Sequence, residues 1–422
     1  MEREKSIISA YETAKEIYAQ YGVNTDEALK KLREKRISFN AWQLDDVKGF
    51  LKLDQGSGGG IQATGNYPGV ATTAEELMQD AEKVFSLVGG KHKLSLQANM
   101  VATNEKVDLD TIEPKHFAAY VDWAKKIGIG LDINPSCAGH PMLESGFTLS
   151  SADKGIREWW IHHFILTSGI GEYFGKETGV RCVTNYWIPD GYKDYPADTY
   201  SPRVRLAESL DRIFSRKRNA NYNIDTLESK LFGIGVEAFT VGSHEFYMGY
   251  AVKNHLPLCL DAGHFHLSED VGYKISALML ACDELLLHVT RPMRWDSDHV
   301  VSFDDSVKNI MREIVRGDFL DRISLGTDYF DASINRIAAG VLGMRNTQKA
   351  LLAALLEPIG LLKEYENRGD YTSRLALFEE SKTMPFADVW NYFCLTEGVP
   401  CGADWIDEVK LYEKQVLAKR GR

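Results

Sequence analysis

The chain has 422 residues, 60 of them acidic against 49 Lys and Arg, for a net charge of −11 at pH 7. An acidic surface repels phosphate backbones and anionic membranes, and no basic patch stands out to override it, so neither a nucleic-acid nor a membrane partner is expected. With 44% hydrophobic and 26% charged residues the composition is that of a folded globular protein. Its length suits one large domain over residues 1–422.

The six cysteines, Cys137, Cys182, Cys259, Cys282, Cys394 and Cys401, show no C-x-x-C pairing. Reduced, packed thiols are expected rather than a disulfide framework or a zinc knuckle. The N-terminal MEREKSIISAYETAKEIYA is charged and amphipathic, with neither the apolar core of a signal peptide nor the length of a membrane span. A cytoplasmic location follows as an expectation.

Along the chain, residues 5–34 carry helical periodicity, with a second helix starting near Thr25. ISFNAWQ (37–43) is the first strand candidate. The glycine-dense segment 53–69 lacks the Lys-Ser/Thr of a P-loop and reads as a lid or a plain connector. Strand-like KLSLQAN (93–99) lies between helical stretches near 73–87 and 114–126, and GIGLDINPS (128–136) follows. A long helix starting near Ser151 contains His162 and His163 in an apolar run, which reads as packing or surface histidines. RCVTNYWIPD (181–190), DTLESKLFG (225–233), PLCLDAGHF (257–265), ELLLHVTRP (284–292) and RISLGTDYF (322–330) complete eight strand candidates. Helical material separates most of them, the pattern of an α/β protein with a (β/α)8 TIM barrel at about 37–330. Residues 333–422 are mostly amphipathic helix, suited to capping the barrel or joining subunits.

Barrel active sites form at the carboxyl ends of the strands. There the later strands place Glu228 and Lys230, Asp261 and His264, His288, and Asp328, with Asp296 and Asp298 close behind in WDSD. Residues two apart on an extended strand face the same way, so Glu228 and Lys230 point together, as do Asp296 and Asp298 if extended. Taken singly, His288 reads equally as a core histidine, Asp328 as a cap for a helix near Ser333, and Asp296 with Asp298 as a solvated turn. Jointly, so many carboxylates and imidazoles repel unless cations neutralise them. Mixed Asp, Glu and His ligands suit Mn2+, Co2+, Mg2+ or Zn2+. Lys230 reads either as a structural ion pair or as an electrophile for a substrate oxygen. Trp42 and Trp187 read as an apolar wall for a sugar or as core tryptophans.

FNAWQLDDVKGF, GGIQATGNYPG, NPSCAGHP, NYWIPDG, ESKLFGIGVE, VGSHEFYMGY, CLDAGHFH, HVTRPMRWDSDHV and DYFDASINRIAAG closely resemble the bacterial L-rhamnose isomerase family, over about residues 5–420. The resemblance implies a (β/α)8 barrel, a homotetramer and conversion of L-rhamnose to L-rhamnulose with two divalent cations per subunit, usually including Mn2+. By motif, Glu228, Asp261, His288 and Asp328 look like ligands of a substrate-anchoring cation. His264, Asp296 and Asp298 look like ligands of a catalytic one, with Asp261 bridging. Lys230, Asp328 and Asp296 would be catalytic, and Trp187, Lys230, Gln97, Trp42 and Phe330 would touch the sugar. The implied chemistry is a hydride shift between C1 and C2 while a proton moves between O1 and O2. The 53–69 loop resembles a segment that closes over the site, its own or a neighbour's. Gln97 stands where some relatives carry a histidine suspected in ring opening; glutamine exchanges no proton near neutral pH. Ring opening then falls to a metal-bound water, Asp328 or another group.

A metal-dependent hydrolase or nuclease and a non-catalytic sugar binder are the competing classes. The acidic charge disfavours the nuclease. The absence of a secretion signal and the surplus of ligand residues disfavour the binder.

Overall fold

The computed structural model describes residues 2–51, 63–137, 139–143, 146–230, 238–293 and 296–421, without the side chains of Asp296 and Ser297. Eight parallel strands close into a barrel: β1 (Ile37–Asn40), β2 (His92–Gln97), β3 (Gly130–Asn134), β4 (Cys182–Trp187), β5 (Asn223–Glu228), β6 (Leu258–Asp261), β7 (Leu285–Val289) and β8 (Ile323–Thr327). Each strand pairs with its neighbours in sequence, and β8 returns to β1. Strands β1, β3, β6 and β7 are buried along their whole length, as a parallel sheet covered by helices requires. The α/β reading therefore holds, and all eight expected strands are present.

Helices α1 (Glu2–Ala19) and α2 (Thr25–Glu34) precede the barrel, and α3 (Ala74–Phe85), α4 (Ala118–Ile127), α5 (Lys154–Thr178), α6 (Tyr200–Phe214), α7 (His244–Asn254), α8 (Gly272–Leu278) and α9 (Asp305–Arg316) separate successive strands. Polar caps set several starts: the side chains of Asn24, Thr73, Asp153, Ser243 and Asp304 each accept a backbone N–H of the first turn. Near α5, a Cβ at Gly175 would meet the Tyr222 carbonyl oxygen at 1.8 Å, so this helix reaches the start of β5 because it carries glycine there. After β8 come α10 (Arg336–Leu355), α11 (Ile359–Asn367), α12 (Tyr371–Ser381), α13 (Phe386–Thr396) and α14 (Trp405–Gln415). They fold back on the chain's beginning, where Tyr11 stacks on Tyr392 at 3.8 Å and Arg33 Nε pairs with Glu397 at 2.5 Å. Among the described residues, no helix is long and apolar enough to cross a membrane.

Two local expectations change. The strand expected over 37–43 stops at Asn40, and Trp42–Asp45 form a short helix. The helix expected near Ser333 begins at Arg336, capped by Asn335 rather than by Asp328. Of the glycine-rich segment 53–69, residues 53–62 lie outside the described part. Beyond them, Thr64 and Gly65 pair with Asp331 and Ala332, next to the end of β8.

The barrel interior is divided. Val183, Ile224, Cys259 and Leu286 make a small apolar cluster apart from the main core. Opposite, a buried Lys93–Asp132 pair at 2.5 Å occupies β2 and β3. Two residues further along each strand, alternation brings Asn185, Thr226, Asp261 and His288 into the next layer.

Candidate metal centre

At that layer and just above it lies the densest set of ligand atoms. Glu228 ends β5, Asp261 ends β6, His288 lies in β7, and Asp328 follows β8. In register, His288 sits opposite both Asp261 and Gly326. A Cβ at Gly326 would stand 3.1 Å from His288 Cδ2, so glycine there leaves space for the imidazole. His288 Nδ1 lies 3.2 Å from Glu228 Oε2, 3.2 Å from Asp328 Oδ2 and 3.7 Å from Asp261 Oδ2. One ligand atom from each of the four residues falls within 4.8 Å of the others, as a single cation requires.

Neighbouring groups fix these side chains. Asn185 Nδ2 donates to Glu228 Oε2, and Asn185 Oδ1 accepts the Thr226 hydroxyl at 2.8 Å. Gly263 N–H donates to Asp261 Oδ1 at 2.6 Å, and Trp42 Nε1 donates to Asp328 Oδ1 at 2.9 Å. Asp261 and Asp328 are thus each tied through one oxygen and present the other to His288.

Three buried atoms of the cluster, Glu228 Oε1, Asp261 Oδ2 and His288 Nδ1, make no hydrogen bond of proper geometry and face only other ligand atoms of the site. A buried polar atom left unpaired costs about 1–3 kcal/mol, so three together mark a place built for a charged guest. The electrostatics agree. Burial pushes the Asp261 carboxyl well above its usual range, and Asp328 and Glu228 add to it while His264 and His288 oppose. Burial also opposes ionisation of Glu228, but His288 and His264 hold its carboxyl well below the usual range. His264 is pushed up to about 9 and His288 well above its ordinary value, against the opposing effect of burial, by their acidic neighbours and, for His288, by the Cys259 thiol. The cluster therefore demands positive charge. Its oxygen-rich donor set with imidazole nitrogen fits a hard or borderline divalent ion.

A second group of ligand atoms, from Asp261, His264 and Asp298, also lies within 4.8 Å. His264 Nδ1 donates to the Ser229 carbonyl at 2.9 Å, so Nε2 is the nitrogen that gives up its proton and offers a lone pair when a cation replaces it. Asp298 has φ of 68°, so the expectation of an extended WDSD segment fails at this residue. The left-handed backbone costs about 1 kcal/mol and turns its carboxylate by a route that strand alternation does not describe. Asp296 opens the same short strand, and its side chain lies outside the described residues.

A cavity of about 550 Å3, open mouth included, adjoins both groups. Trp42, Gln97, Trp187, Lys230 and Phe330, the expected sugar contacts, all line it, with Glu228, His264, His288, Asp298 and Asp328. Lys230 Nζ lies 4.8 Å from the centre of the Trp187 ring, a cation–π contact that steers the ammonium. Asn134, Pro135 and Asn185 line the cavity too and were not singled out from the sequence. Asn185 was legible in principle, being two residues before Trp187 on one strand. His266 bonds locally to Ser268 at 2.7 Å. His163 is buried and bonded to backbone, as a packing histidine should be, and His162 is exposed. All six cysteines are free thiols.

Comparison with known proteins bears on this geometry. Residues 5–420 match the family model described as L-rhamnose isomerase (RhaA). An L-rhamnose isomerase of Listeria innocua is 55% identical over 420 residues, covering 100% of both chains. Those of Rhodopirellula baltica and Escherichia coli are each 51% identical, covering 100% and 98% of this chain and 98% of their own. With whole-length matches at this identity, the chain is an enzyme of the L-rhamnose isomerase family.

Proposed function

We propose that the chain converts L-rhamnose to L-rhamnulose by moving hydride from C2 to C1 while a proton passes from O2 to O1, with two divalent cations in the pocket, Mn2+ foremost. The observation that carries this reading is the buried Glu228–Asp261–His288–Asp328 cluster, opening on a cavity, with three buried atoms that make no hydrogen bond of proper geometry. When bound, divalent cations supply Lewis-acid polarisation of adjacent sugar oxygens. Those four residues hold one cation, and Asp261, His264, Asp296 and Asp298 the other.

The remaining groups act on the sugar. The Lys230 ammonium, steered by Trp187, faces the oxygen on which negative charge develops. Trp42, Trp187 and Phe330 wall the cavity with apolar surface that excludes water and packs on the sugar's carbon face. Gln97 donates and accepts hydrogen bonds without exchanging a proton. Asp328 and Asp296 are the carboxylates assigned to proton exchange. The homotetramer and the cytoplasmic setting belong to the same reading, and exposed Tyr195, Tyr200 and Tyr273 offer apolar surface for assembly.

The test is chemical. Protein stripped with EDTA and verified metal-free should make no ketose from L-rhamnose and regain activity with Mn2+; undiminished turnover without metal sinks the reading. Substrate deuterated at C2 should deliver its label to C1 of the ketose. Loss of the label to water would replace the hydride shift with an enediol route.

A further inference from the structure

One layer beneath the proposed cation-binding carboxylates, the apolar cluster of Val183, Ile224, Cys259 and Leu286 contains one residue with a donor atom, Cys259. It pairs in register with Glu228 on one side and Leu286 on the other. Alternation along β6 turns it to the same face as Asp261. The Cys259 sulfur, a His288 ring nitrogen and a Glu228 carboxylate oxygen lie within 4.8 Å of one another, and all three residues are buried. Glu228 Oε1 and His288 Nδ1 make no hydrogen bond of proper geometry. The barrel thus offers two overlapping ligand sets, one of oxygen and nitrogen alone and one that adds sulfur.

We infer that Cys259 creates a second, mutually exclusive cation position, in which a thiophilic divalent ion such as Cd2+ is held by Glu228, Cys259 and His288. Thiolate shifts a site's preference towards soft ions, and the thiol proton leaves to solvent as the ion binds. Both positions need Glu228 and His288, so an ion taken by the sulfur-containing set displaces the working one. The enzyme is therefore inhibited by thiophilic metals from inside the barrel. The inference rests on the metal reading above, because Mn2+ is the ion displaced.

The experiment titrates Cd2+ into Mn2+-loaded enzyme. Electron paramagnetic resonance follows released Mn2+, and ultraviolet absorption follows the cadmium–thiolate band. The expected result is Mn2+ release in step with a thiolate band in the wild type. Both Cys259→Ser and Cys259→Ala should lose the band and need on the order of 10-fold more Cd2+ to release Mn2+. Should both variants fail to fold, the wild type decides by stoichiometry: one downfield, sulfur-ligated 113Cd resonance should grow in equal measure with the Mn2+ released, since an ion bound at a cysteine remote from Glu228 and His288 releases none. Mn2+ release without any thiolate signature, or a band that persists in both variants and so belongs to another cysteine, overturns the inference. Wild type that takes up no Mn2+ overturns the metal reading beneath it.

Discussion

The indole Nε1 of Trp42 donates a 2.9 Å hydrogen bond to Oδ1 of Asp328, so the segment after β1 orients a carboxylate that follows β8. Asp328 Oδ2 is thereby left facing His288 Nδ1 at 3.2 Å. Trp42→Phe keeps the ring and removes the donor. Isothermal titration of the variant should show Mn2+ affinity lowered by about 10-fold or more, the usual effect of losing a ligand's supporting partner. Unchanged metal affinity with a raised KM for the sugar would make Trp42 an apolar wall and nothing else.

Asn185 plays the matching part on the opposite side of the barrel, donating to Glu228 and accepting from Thr226. Asn185→Ala should weaken Mn2+ binding by about 10-fold or more. Asn185→Asp should be worse at neutral pH, because a second carboxylate would face Glu228 in a buried place. Binding isotherms for the two variants check the order, and equal affinities would remove Asn185 from the site's support.

Acid stability should carry a histidine signature remote from the pocket. His163 is fully buried, with Nδ1 2.9 Å from the Leu109 carbonyl and Nε2 accepting from Ser136 N–H at 3.2 Å, so both nitrogens are satisfied in the neutral ring. Burial lowers its pKa to about 4 from the ordinary 6.5. A folded-state value below the unfolded one means that the unfolded chain binds the extra proton between them. The stabilisation is complete above about pH 6.5 and is lost as pH falls towards 4. Urea midpoints across that window should fall with pH, and His163→Gln should flatten the slope by about 1.4 kcal/mol per pH unit. An identical slope in the variant would show that His163 does not titrate on unfolding.

At the C-terminus, Arg420 forks onto Asp80 of α3 at 2.7 and 2.8 Å, and Tyr412 Oη donates to the same carboxylate at 2.7 Å. Both charged side chains are nearly buried. Arg420→Ala should therefore cost about 3 kcal/mol in denaturant unfolding, because a buried carboxylate loses its cation. Adding Asp80→Asn should recover part of that loss, and an additive double variant would contradict the pairing.

How the chain sequence relates to this site is clearest from individual residues. Local pattern alone was sufficient for the eight strands, because helical periodicity separates most of the apolar runs that form a covered parallel sheet. It also placed Glu228, Asp261, His288 and Asp328 at strand ends, where the barrel makes residues far apart in sequence converge. Strand logic failed at Trp42, which lies in a helical turn, and at Asp298, whose φ of 68° breaks the alternation. The links from Trp42 to Asp328 and from Asn185 to Glu228 span 286 and 43 residues. No local period encodes them, since a hydrogen bond between side chains depends on closure of the barrel and on strand register. The sequence by itself determined which donor types reach the barrel mouth. The tertiary structure alone decided which oxygen of each carboxylate is tied down, which buried atoms are left for a cation, and that the Cys259 thiol lies within reach of the same ligands.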